Sequence, residues 1–157
     1  ENDNVLLNKD KFNISKLIGR LLNNYENEFI AKNIRVVFNE NLIIVNADQD
    51  KMSQVFTNII SNSLKYSDEG DEISIDIAIA QEMIKISMKD TGICIDEFDL
   101  PHIFERFYRA DKSRSRETGG VGIGLTITKT IVEAHDGSMT VSSIIGEGTE
   151  FIIMLPK

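Results

Sequence analysis

The stretch Gly119-Gly120-Val121-Gly122-Ile123-Gly124-Leu125-Thr126 is the part of the chain around which the other features are arranged. Its closely spaced glycines remove side chains where a backbone must come close to another group. Apolar residues then recur at helical spacing, and they are Ile123, Ile127, Ile131 and Ala134. The stretch therefore predicts a glycine loop that runs into a helix. The free N–H groups and the dipole at the start of that helix form a potential phosphate-binding site.

Two familiar phosphate loops do not fit this stretch. A Walker A loop needs a lysine directly after its last glycine, and a Rossmann fingerprint needs a third glycine. Leu125 stands where the Walker A loop needs its lysine and where the Rossmann fingerprint needs its third glycine. In addition, a polar run rather than a strand precedes the loop. A phosphate site here belongs to some other fold. The alternative is a plain turn before an ordinary helix.

The composition is that of one ordinary globular domain. The chain has 157 residues, of which 41% are hydrophobic and 27% charged. A net charge of -8 argues against a nucleic-acid partner, which requires a basic face. The single cysteine, Cys94, excludes an internal disulfide and suits a reducing, cytoplasmic setting. No apolar run approaches the roughly 20 residues that cross a bilayer, no signal peptide is recognisable, and Glu1–Asn4 resembles the cut end of a longer protein.

Hydrophobic periodicity predicts three longer helices, one short helix and about six strands that are mostly paired as hairpins. The first half comprises a strand at 11–14, a helix from Ser15 as N-cap to about 32, strands at 34–38 and 43–47 joined by a turn, and a helix from Asp48 as N-cap to 66. The second half comprises a strand hairpin from 73 to 88, a short helix after Pro101, the glycine-loop helix to about 135, and strands at 138–143 and 149–155. Helices packed on one face of a mixed, mostly antiparallel sheet give an α+β fold, a two-layer α/β sandwich covered by three helices.

Three polar side chains share the edge of the second helix. Asn58, Asn62 and Lys65 are spaced i, i+4, i+7, beside the apolar face and not opposite it. Amide oxygens can ligate Mg²⁺ while it bridges phosphates, and a lysine can neutralise phosphate charge. The alternative interpretation is a solvated polar flank.

Asp90 and the histidines are the other candidates. Asp90 follows a strand and precedes Gly92, so its carboxylate could accept a hydrogen bond from an exocyclic amine, although an Asx-turn would use the same residues. We expect His102 and His135 to serve capping or packing. Cys94 has no second cysteine for a metal site.

These pieces, in this order, resemble the catalytic and ATP-binding domain of bacterial sensor histidine kinases, in the superfamily that includes DNA gyrase and MutL and shares the Bergerat fold. The resemblance covers nearly the whole chain. The matching motifs are Gln54–Ser67 (the N box), Asp90–Gly92 (the first glycine box), Ile103–Arg109 (the F box), Gly120–Leu125 (the second glycine box) and Gly146–Thr149 (the last).

The resemblance implies Mg²⁺ and ATP as cofactors and gives each motif residue a role. Asn62 is expected to coordinate Mg²⁺, and Asn58 to assist at the metal and phosphates. Lys65 is expected to contact phosphate, and Arg109, in a mobile lid over residues 108–118, the γ-phosphate. Further expected contacts to the nucleotide come from Tyr66, Asp90 (to the adenine amine), Gly92, Gly120, Gly122, Gly124, Leu125 and Thr149.

The family comparison also implies a missing acceptor. ATP-hydrolysing relatives carry a glutamate where this chain has Asn58, so we expect poor hydrolysis and transfer of phosphate to an external nucleophile. In histidine kinases that nucleophile is a histidine on a separate dimerisation domain, followed by an acidic residue and a proline. Neither His102 nor His135 fits this pattern, so the acceptor domain and a response regulator are the expected partners.

The resemblance divides the chain into residues 1–14, a linker with a first short strand from the missing dimerisation domain, and residues 15–157, the ATP-binding domain. We expect this fragment to be monomeric, the full-length protein to be a homodimer, and the domain to be the cytoplasmic end of a membrane-bound sensor. The alternatives are a serine kinase of the anti-sigma-factor type and a degenerate ATP-binding module. Cys94 replaces a second family glycine, and we expect it to weaken nucleotide binding modestly.

Overall fold

The computed structural model describes residues 6–91, 121–144 and 147–157, and within them only the backbone of Tyr66 and of residues 121–124. The helices in these ranges are α1 (Ile14–Asn24), α2 (Glu26–Ala31), α3 (Gln49–Tyr66) and α4 (Val121–Ala134). The strands are β1 (Asp10–Asn13), β2 (Arg35–Phe38), β3 (Ile44–Ala47), β4 (Glu72–Ala80), β5 (Met83–Asp90), β6 (Ser138–Ile144) and β7 (Gly148–Pro156). In the described part of the chain, no helix is long and apolar enough to span a bilayer.

The main sheet has five strands in the order β2-β4-β5-β7-β6. Only β2 and β4 run parallel, and the other neighbours are antiparallel. The predicted mixed, mostly antiparallel sheet is therefore confirmed, as are the hairpins β4–β5 and β6–β7. The strands β1 and β3 form a separate antiparallel pair.

The predicted hairpin between the second and third strands is wrong. Strand β2 pairs in parallel with β4, and strand β3 pairs with β1. Parallel neighbours cannot be joined by a tight turn and need a long crossover, which is usually a helix. Here the crossover from β2 to β4 includes α3, so this connection places α3 on the sheet.

One face of the sheet carries the hydrophobic core. Alternating residues of the central strands are buried there, and they are Ile73 and Ile75 of β4, Ile84, Ile86 and Met88 of β5, and Phe151, Ile153 and Leu155 of β7. Of the residues between them, Lys85 and Lys89 are exposed, and others such as Ser87 are half-buried. Side chains from α1, α3 and α4 complete the same core, so the two-layer sandwich is confirmed.

The N-terminal helix differs from its prediction at both ends. Asn13, not Ser15, is the N-cap of α1, because its Oδ1 accepts hydrogen bonds from the N–H groups of Ser15 and Lys16. The Ser15 side chain is fully buried and accepts a hydrogen bond from the N–H of Asn41. The single predicted helix also breaks at Tyr25, which caps both α1 and the short α2.

The central helix α3 begins as predicted. Asp48 is its N-cap and accepts a hydrogen bond from the N–H of Lys51. At the other end, the Nζ atom of Lys32 donates to the carbonyl oxygen of Leu64 at 2.6 Å and to that of Lys65 at 3.3 Å. A cation on the last carbonyls of a helix is favourable because it satisfies free acceptors and opposes the helix dipole.

The helix α4 is confirmed, but the residues that it buries are not those of the predicted apolar pattern, apart from Ile131. Ile127 is 40% exposed. The buried residues are Leu125, Thr128, Ile131, Val132 and His135. Leu125, Thr128 and Val132 are spaced i, i+3, i+7, so this side faces the core although one of its members is polar.

Candidate functional site

A row of polar residues ends the apolar face of the sheet. Asp90 is opposite Thr149 across β5 and β7, and Thr149 is opposite Ser143 across β7 and β6. Each is separated by an even number of positions from the buried core residues of its own strand. All three side chains therefore face the helix layer. The Oγ of Ser143 and the Oγ1 of Thr149 are 3.1 Å apart. This polar row forms the floor of a candidate site at one end of the core.

Asp90 is buried, with 8% of its surface exposed. A carboxylate in such a place is costly without hydrogen bonds, so an acid at this position is unusual for packing alone. The next residue, Thr91, anchors the strand end, because its N–H donates to the carbonyl oxygen of Glu72 and its Oγ1 accepts from the N–H of Glu72. The carboxylate of Asp90 is therefore attached to a fixed backbone.

Gly148 allows the strands to meet at this row. Its φ is +106°, and a Cβ at this position would lie 1.9 Å from the carbonyl oxygen of Asp90. No side chain fits at that distance, so the glycine is required by both conformation and space. The last glycine motif of the sequence thus has a structural function directly beside Asp90.

The polar edge of α3 is present as predicted. Asn58 and Asn62 are half-buried, and Lys65 is exposed one turn further along. Tyr66 is the last residue of the helix, and only its backbone is described. Within the described residues we find no hydrogen bond from the Asn62 amide to another protein group, which leaves that amide for a ligand.

Two hydrogen bonds connect α3 to α4 and show that the helices run antiparallel. At the beginning of α3, the N–H of Asp48 donates to Nε2 of His135, which follows the end of α4, at 3.0 Å. In the middle of both helices, Nδ2 of Asn58 donates to Oγ1 of Thr128 at 3.2 Å. Asn62 is one turn beyond Asn58 on α3, and one turn before Thr128 on α4 is the first turn of that helix. Asn62 therefore lies beside the first turn of α4.

The first turn of α4 contains Gly122 and Gly124, since the helix begins at Val121. Free N–H groups and the positive end of the dipole are therefore next to the part of α3 that carries Asn62 and Lys65. Leu125 is fully buried in the core, which leaves its backbone for the predicted nucleotide contact. The observed arrangement combines amides, an ammonium group and a helix start, as an anion such as phosphate requires.

His135 has a structural role, as predicted. Its ring is buried, Nδ1–H donates to the carbonyl oxygen of Ile131 at 2.9 Å, and Nε2 accepts from Asp48. In this arrangement Nδ1 is the ring nitrogen that carries the proton. For the Asp48 carboxyl, burial alone favours a higher pKa, but the N–H groups of Asn8 and Lys51, with the charge of Lys51, hold the pKa below its usual value of 3.8.

The donor set fits a magnesium ion that is held mainly by phosphate and water. Among the described residues no three His, Cys, Asp or Glu side chains converge as a metal site. Mg²⁺ does not require such a cluster, because it keeps several waters and is commonly bound through one or two protein oxygens and substrate phosphates. The amide oxygens of Asn62 and Asn58 are the protein oxygens available on this edge of α3.

Several predicted site residues lie outside the described residues. They are Gly92, Cys94, Arg109 and Gly120, together with His102, the F box and the lid at 108–118. Sequence reasoning also missed Thr128 and Ser143, which contact the predicted residues Asn58 and Thr149. The available signal for Thr128 was a polar residue three positions after Leu125, on the side of α4 that faces the core.

Comparisons with known proteins agree with this arrangement. Residues 47–157 match the family described as histidine kinase-, DNA gyrase B- and HSP90-like ATPase. The chain is 42% identical over 155 residues to the sensor histidine kinase WalK of Bacillus subtilis, covering 95% of this chain and 25% of that protein. It is 38% identical over 160 residues to the sensor protein kinase WalK of Staphylococcus aureus, covering 99% of this chain and 38% of that protein. The chain thus spans well under half of these relatives.

Solved structures show the same fold. The nucleotide-free catalytic domain of the histidine kinase ThkA superposes with a TM-score of 0.81 at 25% identity, covering 96% of each chain. Full-length ShkA in complex with AMPPNP superposes with a TM-score of 0.82 at 22% identity, covering 97% of this chain and 32% of that one. The chain belongs to the histidine kinase-, DNA gyrase B- and HSP90-like ATPase family, with the fold of a sensor histidine kinase catalytic domain.

Proposed function

We propose that this domain binds ATP with Mg²⁺ and donates the γ-phosphoryl group to a histidine on a separate dimerisation and phosphoacceptor domain. The observation that carries the proposal is the buried Asp90 carboxylate, held in a polar row with Thr149 at the end of an otherwise apolar sheet face. The row lies where the hydrophobic core ends, which suits a flat apolar ring that carries an amine.

Recognition of adenine is assigned to the polar row. The carboxylate of Asp90 is an acceptor only, so it selects a ring with an exocyclic amine over one with a carbonyl group at that place. Thr149 is directly opposite and offers a hydroxyl to the same ring edge. A guanine ring would place a carbonyl oxygen against the carboxylate, and the repulsion disfavours it.

The phosphates are assigned to the space between α3 and the start of α4. Gly122 and Gly124 bring free backbone N–H groups close to an anion without side chains in between. Lys65 and Arg109 would add positive charge, Lys65 at the end of α3 and Arg109 from the predicted lid. Mg²⁺, held by Asn62 with help from Asn58, would neutralise charge on the phosphate oxygens.

Transfer itself requires positioning more than a chemical group from the protein. The bond between the γ-phosphorus and its bridging oxygen breaks, a bond from phosphorus to an imidazole nitrogen forms, and ADP leaves with the bridging oxygen. An amide such as Asn58 cannot take a proton from water, because it has no basic lone pair at neutral pH. Water is therefore a poor competitor of the acceptor histidine.

The partners follow from the same proposal. The relatives that this chain resembles are sensor kinases, and the ThkA kinase has been solved in complex with the response regulator protein TrrA. We propose the same relay here, from ATP to histidine to a response-regulator aspartate, with no nucleic-acid partner. We further propose that the ATP-binding domain is residues 15–157, that the fragment is monomeric within a homodimeric full-length protein, and that it works in the cytoplasm.

The decisive experiment mixes this chain with an isolated helical phosphoacceptor domain of a sensor histidine kinase and γ-labelled ATP. The proposal predicts a label on the acceptor that is lost in acid and stable in alkali, as a phosphohistidine is. An Asn62→Ala variant should abolish the labelling. Nucleotide binding without any labelling would favour the degenerate module, and an acid-stable label on serine would favour the anti-sigma type of kinase.

A further inference from the structure

Asn58 and Thr128 form the hydrogen bond that joins the functional edge of α3 to α4. The distance from Nδ2 of Asn58 to Oγ1 of Thr128 is 3.2 Å. Asn58 is half-buried, whereas Thr128 has 0% of its surface exposed. Thr128 therefore has no access to a ligand of its own, and this hydrogen bond connects it to one through Asn58.

We propose that Thr128 is a positioning residue that holds the Asn58 side chain in place beside the magnesium ion and phosphates. This inference rests on the proposed function. A primary amide carries both an oxygen and a nitrogen, so a hydrogen bond through the nitrogen leaves the oxygen for a ligand. Oxygen is the ligand that Mg²⁺ accepts.

The hydrogen bond restricts the rotation of the Asn58 side chain. With Nδ2 bonded to Thr128, Oδ1 is the amide atom that is left for the magnesium ion. Without the hydroxyl, the side chain can leave this rotamer and must be ordered again when the ion binds. A neutral hydrogen bond contributes about 1 kcal/mol, which corresponds to about fivefold in binding.

The position of Thr128 allows a test that separates hydrogen bonding from packing. Thr128→Val keeps the shape of the side chain and removes the hydroxyl, whereas Thr128→Ser keeps the hydroxyl and removes a buried methyl group. A packing role predicts that the serine variant is the more damaged, because it leaves a small cavity. The positioning role predicts the opposite order for magnesium-dependent binding.

The measurement is calorimetric titration with a non-hydrolysable ATP analogue, with and without Mg²⁺, on the wild type and both variants. Circular dichroism and thermal unfolding confirm that each variant is folded. We expect Thr128→Val to lose about fivefold of the affinity gained from Mg²⁺ and to keep its magnesium-free affinity. Thr128→Ser should bind as the wild type does.

A double-mutant cycle tests whether Thr128 acts through Asn58. In an Asn58→Ala background the amide is gone, so Thr128→Val should have no further effect on magnesium-dependent affinity. An effect of the same size in both backgrounds would overturn the inference, as would equal binding by all three Thr128 proteins. If the wild type binds the analogue and Thr128→Val is unchanged, the inference fails and the proposed function stands. If the wild type itself does not bind, the proposed function fails.

A nucleotide-free measurement gives an independent readout. In ¹H–¹⁵N spectra the side-chain amide of Asn58 is assigned as the signal that Asn58→Ala removes. We expect Thr128→Val to shift that signal and increase its exchange with water, and Thr128→Ser to preserve it. Unchanged Asn58 amide signals in Thr128→Val would contradict the hydrogen bond on which the inference depends.

Discussion

Asp90 and Thr149 are opposite each other on the antiparallel strands β5 and β7, and both are buried on the side of the sheet that faces the helices. The preceding residue of β5 on this face, Met88, and the next one of β7, Phe151, are apolar, so Asp90 and Thr149 mark the point where the core ends and a polar pocket wall begins. Gly148 keeps the two strands at this spacing. The account of the site depends on this row, and the stability of the row can be tested separately from ligand binding.

Gly148→Ala should be strongly destabilising, and Gly70→Ala is its matched control. Both glycines have positive φ, +106° and +91°, but a Cβ on Gly70 meets nothing within 4 Å, whereas one on Gly148 meets the carbonyl oxygen of Asp90. We expect Gly70→Ala to cost about 1 kcal/mol from backbone strain alone. Gly148→Ala should cost about 2–3 kcal/mol more, since the strands must move apart. Urea unfolding measures both, and equal losses would contradict the close approach to Asp90.

Asp48 should make the stability of the domain depend on pH under acid conditions. Its pKa is lower in the folded protein than its ordinary value of 3.8, so ionised Asp48 stabilises the fold above that value. This contribution is lost as the pH falls from about 4 through the folded pKa, because the unfolded chain takes up the proton first. Asp48→Asn can still cap α3 but cannot titrate.

The comparison requires unfolding free energies for the wild type and Asp48→Asn at several pH values between about 6 and 2.5. The wild type should be the more stable near neutrality, and the difference should shrink at the acid end. A difference that does not change with pH would show that the hydrogen bonds of Asp48 do not favour its ionised form.

Lys32 should stabilise the end of α3 that carries Lys65. Its Nζ donates to the last carbonyl groups of the helix, at 2.6 Å to Leu64 and 3.3 Å to Lys65. Lys32→Met keeps the aliphatic stem and removes the donor, so we expect a loss of about 1–2 kcal/mol in the free energy of unfolding. Lys16→Met, on the exposed side of α1, is the control and should be close to neutral. Equal effects from the two variants would rule out the proposed capping of α3.

Local patterns were sufficient to predict the elements that surround the site. The apolar spacing and the N-cap Asp48 located α3, and strict alternation located β4 and β5. The structure also shows what the predicted site residues contact: Asn58 of α3 bonds to α4, and Asp90 at the end of β5 pairs with Thr149 of β7. Periodicity depends on neighbours along the chain, which a sequence shows directly.

Pairing partners and tertiary contacts were not predictable in the same way. The alternation of β2 and β3 is compatible with a hairpin, and only the crossover through α3 directs β2 to β4. Likewise, Lys32 reaches α3 from the end of α2, and Thr128 reaches Asn58 from a helix seventy positions away. Such contacts depend on how the elements pack, and a single sequence carries no local signal for them.

The most direct test of the central claim is calorimetric titration of this chain with a non-hydrolysable ATP analogue, with and without Mg²⁺. Asn62→Ala and Asp90→Asn are compared with Asp76→Asn, an exposed aspartate on β4. The account predicts magnesium-dependent binding in the wild type and Asp76→Asn, loss of the magnesium dependence in Asn62→Ala, and at least about tenfold weaker binding in Asp90→Asn. Absence of binding at millimolar nucleotide, or wild-type affinity in Asp90→Asn, would contradict it.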